Sequence, residues 1–171
     1  MEVRIAIDLS KCTGCRYCEL WCSFFHDKVF STSLSRIKIV RDDLIGMDYP
    51  IICRHCLEAP CVSACPVGAL YKDEQGIIGL NKDACSKCGS CAEACPYDAV
   101  SLNLFDGTPL ICDLCGGNPI CVRKCPTNAL SLYPLTEITV AGPSKIGKRY
   151  RIAINEYKRL LEGWGVSVRY E

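Results

Sequence analysis

Apolar and polar positions along this chain alternate over short runs broken by dense polar loops. VRIAIDL (residues 3–9) and GIIGL (residues 76–80) are apolar, partly alternating runs that predict strands. SRIKIV (residues 35–40) predicts another, inside a linker spanning 28–52 that turns at Asp42-Asp43. Three short strand-like pieces, YKDE, SLNLF and SLYPL, recur after similar loops. Toward the C-terminus the period changes. Ile146, Tyr150, Ala153, Tyr157, Leu160 or Leu161, and Trp164 recur at threes and fours, which predicts one apolar helical face. Pro143 precedes that helix, and Gly163 and Gly165 end it. Its opposite face carries Lys145, Lys148, Arg149, Arg151, Lys158 and Arg159. The helix is expected either to close over the rest of the chain or to dock on another subunit.

What separates the strands is cysteine. The chain holds 16 cysteines in 171 residues, and they sort into four groups of four. Group one is Cys12, Cys15, Cys18 and Cys22; group two is Cys53, Cys56, Cys61 and Cys65. Group three is Cys85, Cys88, Cys91 and Cys95; group four is Cys112, Cys115, Cys121 and Cys125. In every group two residues separate the first pair and three separate the last pair. Groups two, three and four end in Cys-Pro-x-x-Ala-aliphatic, whereas group one ends in Cys22-Ser23.

This spacing has a mechanical meaning. Three cysteines on one loop can wrap three corners of an iron–sulfur cube. The fourth follows on a helical turn and ligates a neighbouring cluster, as in two-cluster ferredoxins. Proline disfavours the α region for the residue before it, which lets that sulfur turn away from its own loop. Four groups used this way make four [4Fe-4S] clusters with no cysteine left over. The repeating unit is strand, ligand loop, helical turn, strand, too small to bury a core unless paired around the clusters. Disulfides fit poorly, because tight C-x2-C-x2-C runs leave little room for unstrained pairing. Structural zinc uses separated C-x2-C pairs; groups two and four imitate these, but groups one and three do not. A zinc-based interaction module without redox chemistry therefore stands as a rival class. Which groups pair with which is left open by spacing.

The cysteine pattern resembles the four-cluster electron-transfer subunits of molybdopterin and tungstopterin oxidoreductases, the family of the dimethyl sulfoxide reductase and formate dehydrogenase iron–sulfur subunits. CRHCLEAPCVSACPVGAL and CDLCGGNPICVRKCPTNAL carry the resemblance, which covers residues 3 to 133. CTGCRYCELWCSFFH is most similar to the small subunit accompanying tungsten-containing aldehyde oxidoreductases, and also resembles iron–sulfur subunits of carbon monoxide dehydrogenases. The resemblance implies an α+β polyferredoxin of two bacterial-ferredoxin-like lobes with a C-terminal amphipathic helix. One lobe would comprise 1–30 plus 105–135 and the other 48–104, with 136–171 as the extension. Pairing would be nested. The ligand sets would be Cys12, Cys15, Cys18 with Cys125, and Cys112, Cys115, Cys121 with Cys22. The second lobe would use Cys53, Cys56, Cys61 with Cys95, and Cys85, Cys88, Cys91 with Cys65. The implied function is electron relay between a tungstopterin aldehyde-oxidising subunit and a soluble acceptor such as ferredoxin. A nickel carbon monoxide dehydrogenase, a hydrogenase or a molybdenum formate dehydrogenase is the alternative partner.

The remaining residues alter this picture little. A formal charge of +1 gives no footprint for nucleic acid or anionic lipid. No apolar run approaches the roughly 18 residues of a membrane span. The start, MEVRIAIDLSKC, carries neither a basic segment before an apolar one nor a twin-arginine pair, so the expected location is the cytoplasm, where thiols stay reduced. His26 and His55 are expected to pack or hydrogen-bond, since every cluster corner already has a cysteine. Tyr17 and Trp21 are expected to shield ligands from water. Lys82, Asp83, Lys87 and Asp113 are expected to tune potentials by local charge. No phosphate loop or nucleophilic triad is present, so the chain is expected not to be catalytic by itself.

Overall fold

Each helix grows out of a cysteine loop, and the residue after the last cysteine of the group sets its length. In the computed structural model, residues 3–42 and 46–134 are described. α2 (Pro60–Ser63), α3 (Ser90–Glu93) and α4 (Ile120–Arg123) are single turns. In each case Pro66, Pro96 or Pro126 follows the fourth cysteine and blocks further α backbone. Group one has no such proline, and α1 (Tyr17–Asp27) runs for 11 residues. It ends at Lys28, which turns left-handed (φ 59) and returns its N–H to Phe24 O at 3.1 Å.

The strands form four antiparallel pairs among the described residues. β1 (Val3–Ile7) pairs with β8 (Leu130–Pro134), joining the two ends of the described chain. β2 (Ile37–Asp42) pairs with β3 (Met47–Ile52). β4 (Leu70–Lys72) and β5 (Ile78–Leu80) form one hairpin, β6 (Ser101–Leu102) and β7 (Pro109–Leu110) another. The expected strands in 3–9, 35–40 and 76–80 are present. The stretch 28–52, read from sequence as a linker, instead carries the β2–β3 hairpin. The expected C-terminal helix lies outside the described residues.

Two apolar cores result. The first joins Ile5, Ile37, Ile39, Ile52, Leu114 and Leu130 with Cys18, Cys22, Cys112 and Cys121. The second joins Leu70, Ile78, Val100 and Ile111 with Cys61 and Cys91. Helices follow the same division: α1 packs on α4, and α2 on α3. The buried cysteines of groups one and four thus share one core and those of groups two and three the other, with Cys53 packed on both.

Candidate metal centres

The ligand loops share one backbone device. In each first C-x-x-C, the residue before the second cysteine is left-handed: Gly14 (φ 61), His55 (φ 46), Lys87 (φ 59) and Leu114 (φ 53). That turn aims its amide back at the first sulfur. His55 N–H donates to Cys53 Sγ at 3.4 Å, Lys87 N–H to Cys85 Sγ at 3.4 Å, and Leu114 N–H to Cys112 Sγ at 3.5 Å. The Gly14 amide does the same for Cys12. A second turn follows each Cys-Pro. Gly68, Asp98 and Asn128 are left-handed, with φ 63, 52 and 53. Beyond them Ala69 N–H reaches Cys65 Sγ at 3.2 Å and Ala99 N–H reaches Cys95 Sγ at 3.4 Å. Cys22 has no Cys-Pro turn; the Arg36 amide from the strand side donates to it at 3.3 Å instead. Amides aimed at sulfur favour thiolate and stabilise charge on a bound cluster.

Side chains fix these loops. Lys72 Nζ donates to Cys56 O at 2.7 Å and Leu57 O at 2.8 Å, tying β4 to the group-two loop. Glu19, 3% exposed, accepts the Ile39 N–H on Oε1 at 2.7 Å, joining α1 to β2. Arg41 pairs with Asp48 at 2.9 Å beneath Gly14, where any Cβ would collide with the Asp48 carboxylate. A buried glutamate and a loop-tying lysine were not anticipated from sequence, because both residue types usually sit in solvent.

Twelve of the sulfurs gather as three quartets. Cys12, Cys15, Cys18 and Cys125 line one cleft. Cys53, Cys56, Cys61 and Cys95 line another. Cys65, Cys85, Cys88 and Cys91 line a third. Of the remaining four, Cys22 packs with Cys112 and Cys121 in the first core. A single tetrahedral zinc, with Zn–S near 2.3 Å, needs sulfurs about 3.8 Å apart. Among the described residues the one set of three candidate ligand atoms lying within 4.8 Å of each other is His26, Asp113 and Cys115, and it contains only one sulfur. No three sulfurs of a quartet lie within 4.8 Å of one another, so none is drawn in as tightly as one tetrahedral ion requires. All sixteen thiols are free of disulfides.

The quartets lie near one another in a definite order. Cys18 shares the first core with Cys112 and Cys121, Cys53 packs on both cores, and Cys61 shares the second core with Cys91. Group one therefore neighbours group four, group four neighbours group two, and group two neighbours group three. Burial pushes the Cys53 and Cys18 thiols up to about 12 and Cys115 up to about 11, and raises Cys112 well above its ordinary value. At the exposed Cys88, hydrogen bonding from the Ser90 hydroxyl draws the thiol down to about 7. His26 Nε2 lies 3.4 Å from Asp113 and 3.7 Å from Cys115 Sγ. Asp113 also accepts the Cys115 N–H at 2.9 Å. Trp21 is covered by Lys124 at 4.4 Å and meets Tyr17 edge-on at 6.0 Å, while Tyr17 remains 43% exposed and shields incompletely.

Comparison with known proteins decides the family. The model of the 4Fe-4S dicluster domain matches residues 46–134, just over half of the chain. The chain belongs to the 4Fe-4S dicluster domain family. The matched dicluster span holds groups two, three and four; group one lies before it. The polyferredoxin-like subunit of an aliphatic sulfonate oxidoreductase from Pyrococcus furiosus is 42% identical over 91 residues, covering 53% of this chain and 52% of that protein. The arsenate respiratory reductase iron-sulfur subunit ArrB of Shewanella sp. is 37% identical over 95 residues, covering 53% and 41%. The active site complex BamBC of benzoyl coenzyme A reductase with benzoyl-CoA aligns at a TM-score of 0.49 and 26% identity, covering 87% of this chain and 96% of that one. This dicluster protein spans about half the length of the curated relatives it matches. No helix among the described residues is long and apolar enough to cross a membrane.

Proposed function

We propose that this chain is an electron-transfer subunit holding four [4Fe-4S] clusters, not catalytic by itself, that relays electrons between a catalytic oxidoreductase subunit and a soluble acceptor such as ferredoxin. The observation that carries this reading is that three clefts are each lined by three sulfurs from one loop and one from another, while Cys22 packs with Cys112 and Cys121 of the remaining loop. Cys12, Cys15, Cys18 and Cys125 would hold the first cluster and Cys22, Cys112, Cys115 and Cys121 the second. Cys53, Cys56, Cys61 and Cys95 would hold the third, and Cys65, Cys85, Cys88 and Cys91 the fourth. The two lobes would be 1–30 with 105–135, and 48–104, with 136–171 as an extension. Bound clusters supply one-electron chemistry; the chain supplies spacing, burial and amide donors to sulfur. The line ends at the exposed Cys15 and Cys88, where electrons would enter and leave.

The relatives' names support an oxidoreductase partner. The group-one stretch CTGCRYCELWCSFFH favours a tungstopterin aldehyde-oxidising partner, with the group-one end serving it. A molybdenum formate dehydrogenase partner is the second reading; a formate dehydrogenase iron-sulfur subunit of Wolinella succinogenes is 31% identical over 92 residues. Anaerobic purification of the complex from its native source, with metal analysis, separates them. Tungsten in the companion subunit supports the first reading and molybdenum the second. Zinc in place of iron removes both.

A further inference from the structure

His55 is 2% exposed and lies two residues after Cys53, which packs on both cores. One contact sets its ring: the Ile78 N–H donates to Nδ1 at 3.1 Å. An amide N–H can only donate, so Nδ1 keeps its lone pair and the ring proton sits on Nε2. Nε2 is buried with no hydrogen-bond partner among the described residues. A buried donor left without an acceptor is destabilising. The backbone here is also left-handed, at φ 46, a conformation that a side-chain-bearing residue seldom adopts. The backbone cost is met by the His55 N–H bond to Cys53 Sγ at 3.4 Å, whereas the cost at Nε2 is met by nothing among the described residues.

The surroundings point to the missing acceptor. The Nδ1 side lies 3.8 Å from Cys53 Sγ, on the group-two loop. The charges acting on the ring come from Arg4 and Asp113, and from Asp73 and Lys72 on the β4–β5 hairpin. Asp113 directly follows Cys112, and Cys53 packs on both cores, the first of which holds Cys112 and Cys121. The group-two loop that carries the imidazole therefore adjoins the core of the group-four site, and no acceptor for the ring proton lies among the described residues. Resting on the four-cluster reading, we infer that His55 is a positioning residue that donates its Nε2–H to a sulfur of the group-four site once that site is loaded. A hydrogen bond to cluster sulfur stabilises the more negative, reduced state. His55 thus holds that cluster's potential higher than its buried surroundings would otherwise set it.

The test is an EPR-monitored redox titration of the full-length, cluster-loaded chain. In His55→Asn the shorter amide still accepts the Ile78 N–H but places no donor at the Nε2 position. In His55→Gln the amide reaches that position and donates. Cys115→Ser, which alters one group-four ligand, marks which midpoint belongs to that cluster. His55→Asn is expected to move that one midpoint to more negative potential, and His55→Gln to restore it toward the unaltered value. Unchanged midpoints at full iron content, a shift in a different midpoint, or equal shifts in both variants would overturn the inference. Should His55→Asn load poorly, a second measurement decides. The chain has two histidines, so in the His26→Asn protein His55 is the only one. With 15N-histidine, pulsed EPR of the reduced protein should detect ring-nitrogen and exchangeable-proton coupling to a cluster spin; its absence refutes the contact. Iron content of the unaltered chain is measured separately. Low iron there removes the four-cluster reading itself, whereas full iron with no His55 effect removes only this inference.

Discussion

The middle of the molecule and its two ends use the same ligand in opposite surroundings. At the group-four loop Cys112 is buried and its thiol is raised well above the ordinary value, while Cys115 is pushed up to about 11. At the group-three loop Cys88 is exposed, and the Ser90 hydroxyl draws its thiol down to about 7. Cys15, at the other end, is exposed as well. Identical spacing therefore does not give identical sites. A buried site resists ionisation, excludes water and depends on its whole surroundings. An exposed site ionises readily and can meet a partner at close range. That contrast suits a relay whose middle is insulated and whose ends are open.

The largest effect should come from removing a ligand in the middle. Cys112→Ser should lose its own cluster and loosen the first core, where Cys112 packs with Cys22, Ile37 and Leu114. Cys88→Ser should leave the other three sites filled. Iron content and thermal unfolding of the two variants compare them directly. Equal iron loss in both would break the contrast.

Next comes the group-one loop. Gly14 combines a φ of 61 with the Asp48 carboxylate where a Cβ would go. Gly14→Ala should cost about 1–3 kcal/mol from strain, and more from the collision. Gly68→Ala, also left-handed but with open space around it, should cost only about 1 kcal/mol. Denaturant unfolding of the pair separates backbone strain from crowding.

The pH dependence should differ along the line. Metal binding needs thiolate, so each site's loading rises as pH passes its thiol values. In the metal-free chain at pH 8, Cys88 should react with iodoacetamide well before Cys53 or Cys115. The sign for stability runs opposite to loading. Thiols raised from 9.0 to about 12 at Cys53 and about 11 at Cys115 favour the metal-free fold below pH 9. That contribution is lost as pH climbs from 9 through 11 to 12. Mass-spectrometric alkylation and pH-dependent unfolding check the two directions.

The smallest effect should be at Lys72. Lys72→Met removes the two hydrogen bonds from Nζ to the Cys56 and Leu57 carbonyls, one of them exposed, together worth under about 1 kcal/mol, and leaves the ligands in place. Slightly lower stability with unchanged iron is expected.

Much of this arrangement was readable in the chain. Cysteine spacing is visible because a cluster dictates it, and the missing proline after Cys22 explains why α1 outruns the other helices. Gly14 announces a left-handed turn; His55, Lys87 and Leu114 in the same position do not, because their conformation follows from the sulfur that their amides serve. β3 escaped notice because Pro50 interrupts it, yet proline is tolerated in a two-stranded ribbon with an open edge. The hairpin's role in the first core was hidden for the same reason. Glu19 looks like an ordinary surface residue until the Ile39 amide is found on its carboxylate. Long-range partners of this kind leave no local pattern.

The central claim is that one chain holds four cubes, and iron with acid-labile sulfide per chain tests it most directly. Anaerobically purified protein should contain about sixteen of each, four per cysteine quartet. About eight of each, unchanged by replacing Cys12 or Cys22, would contradict the account and leave groups one and four without clusters.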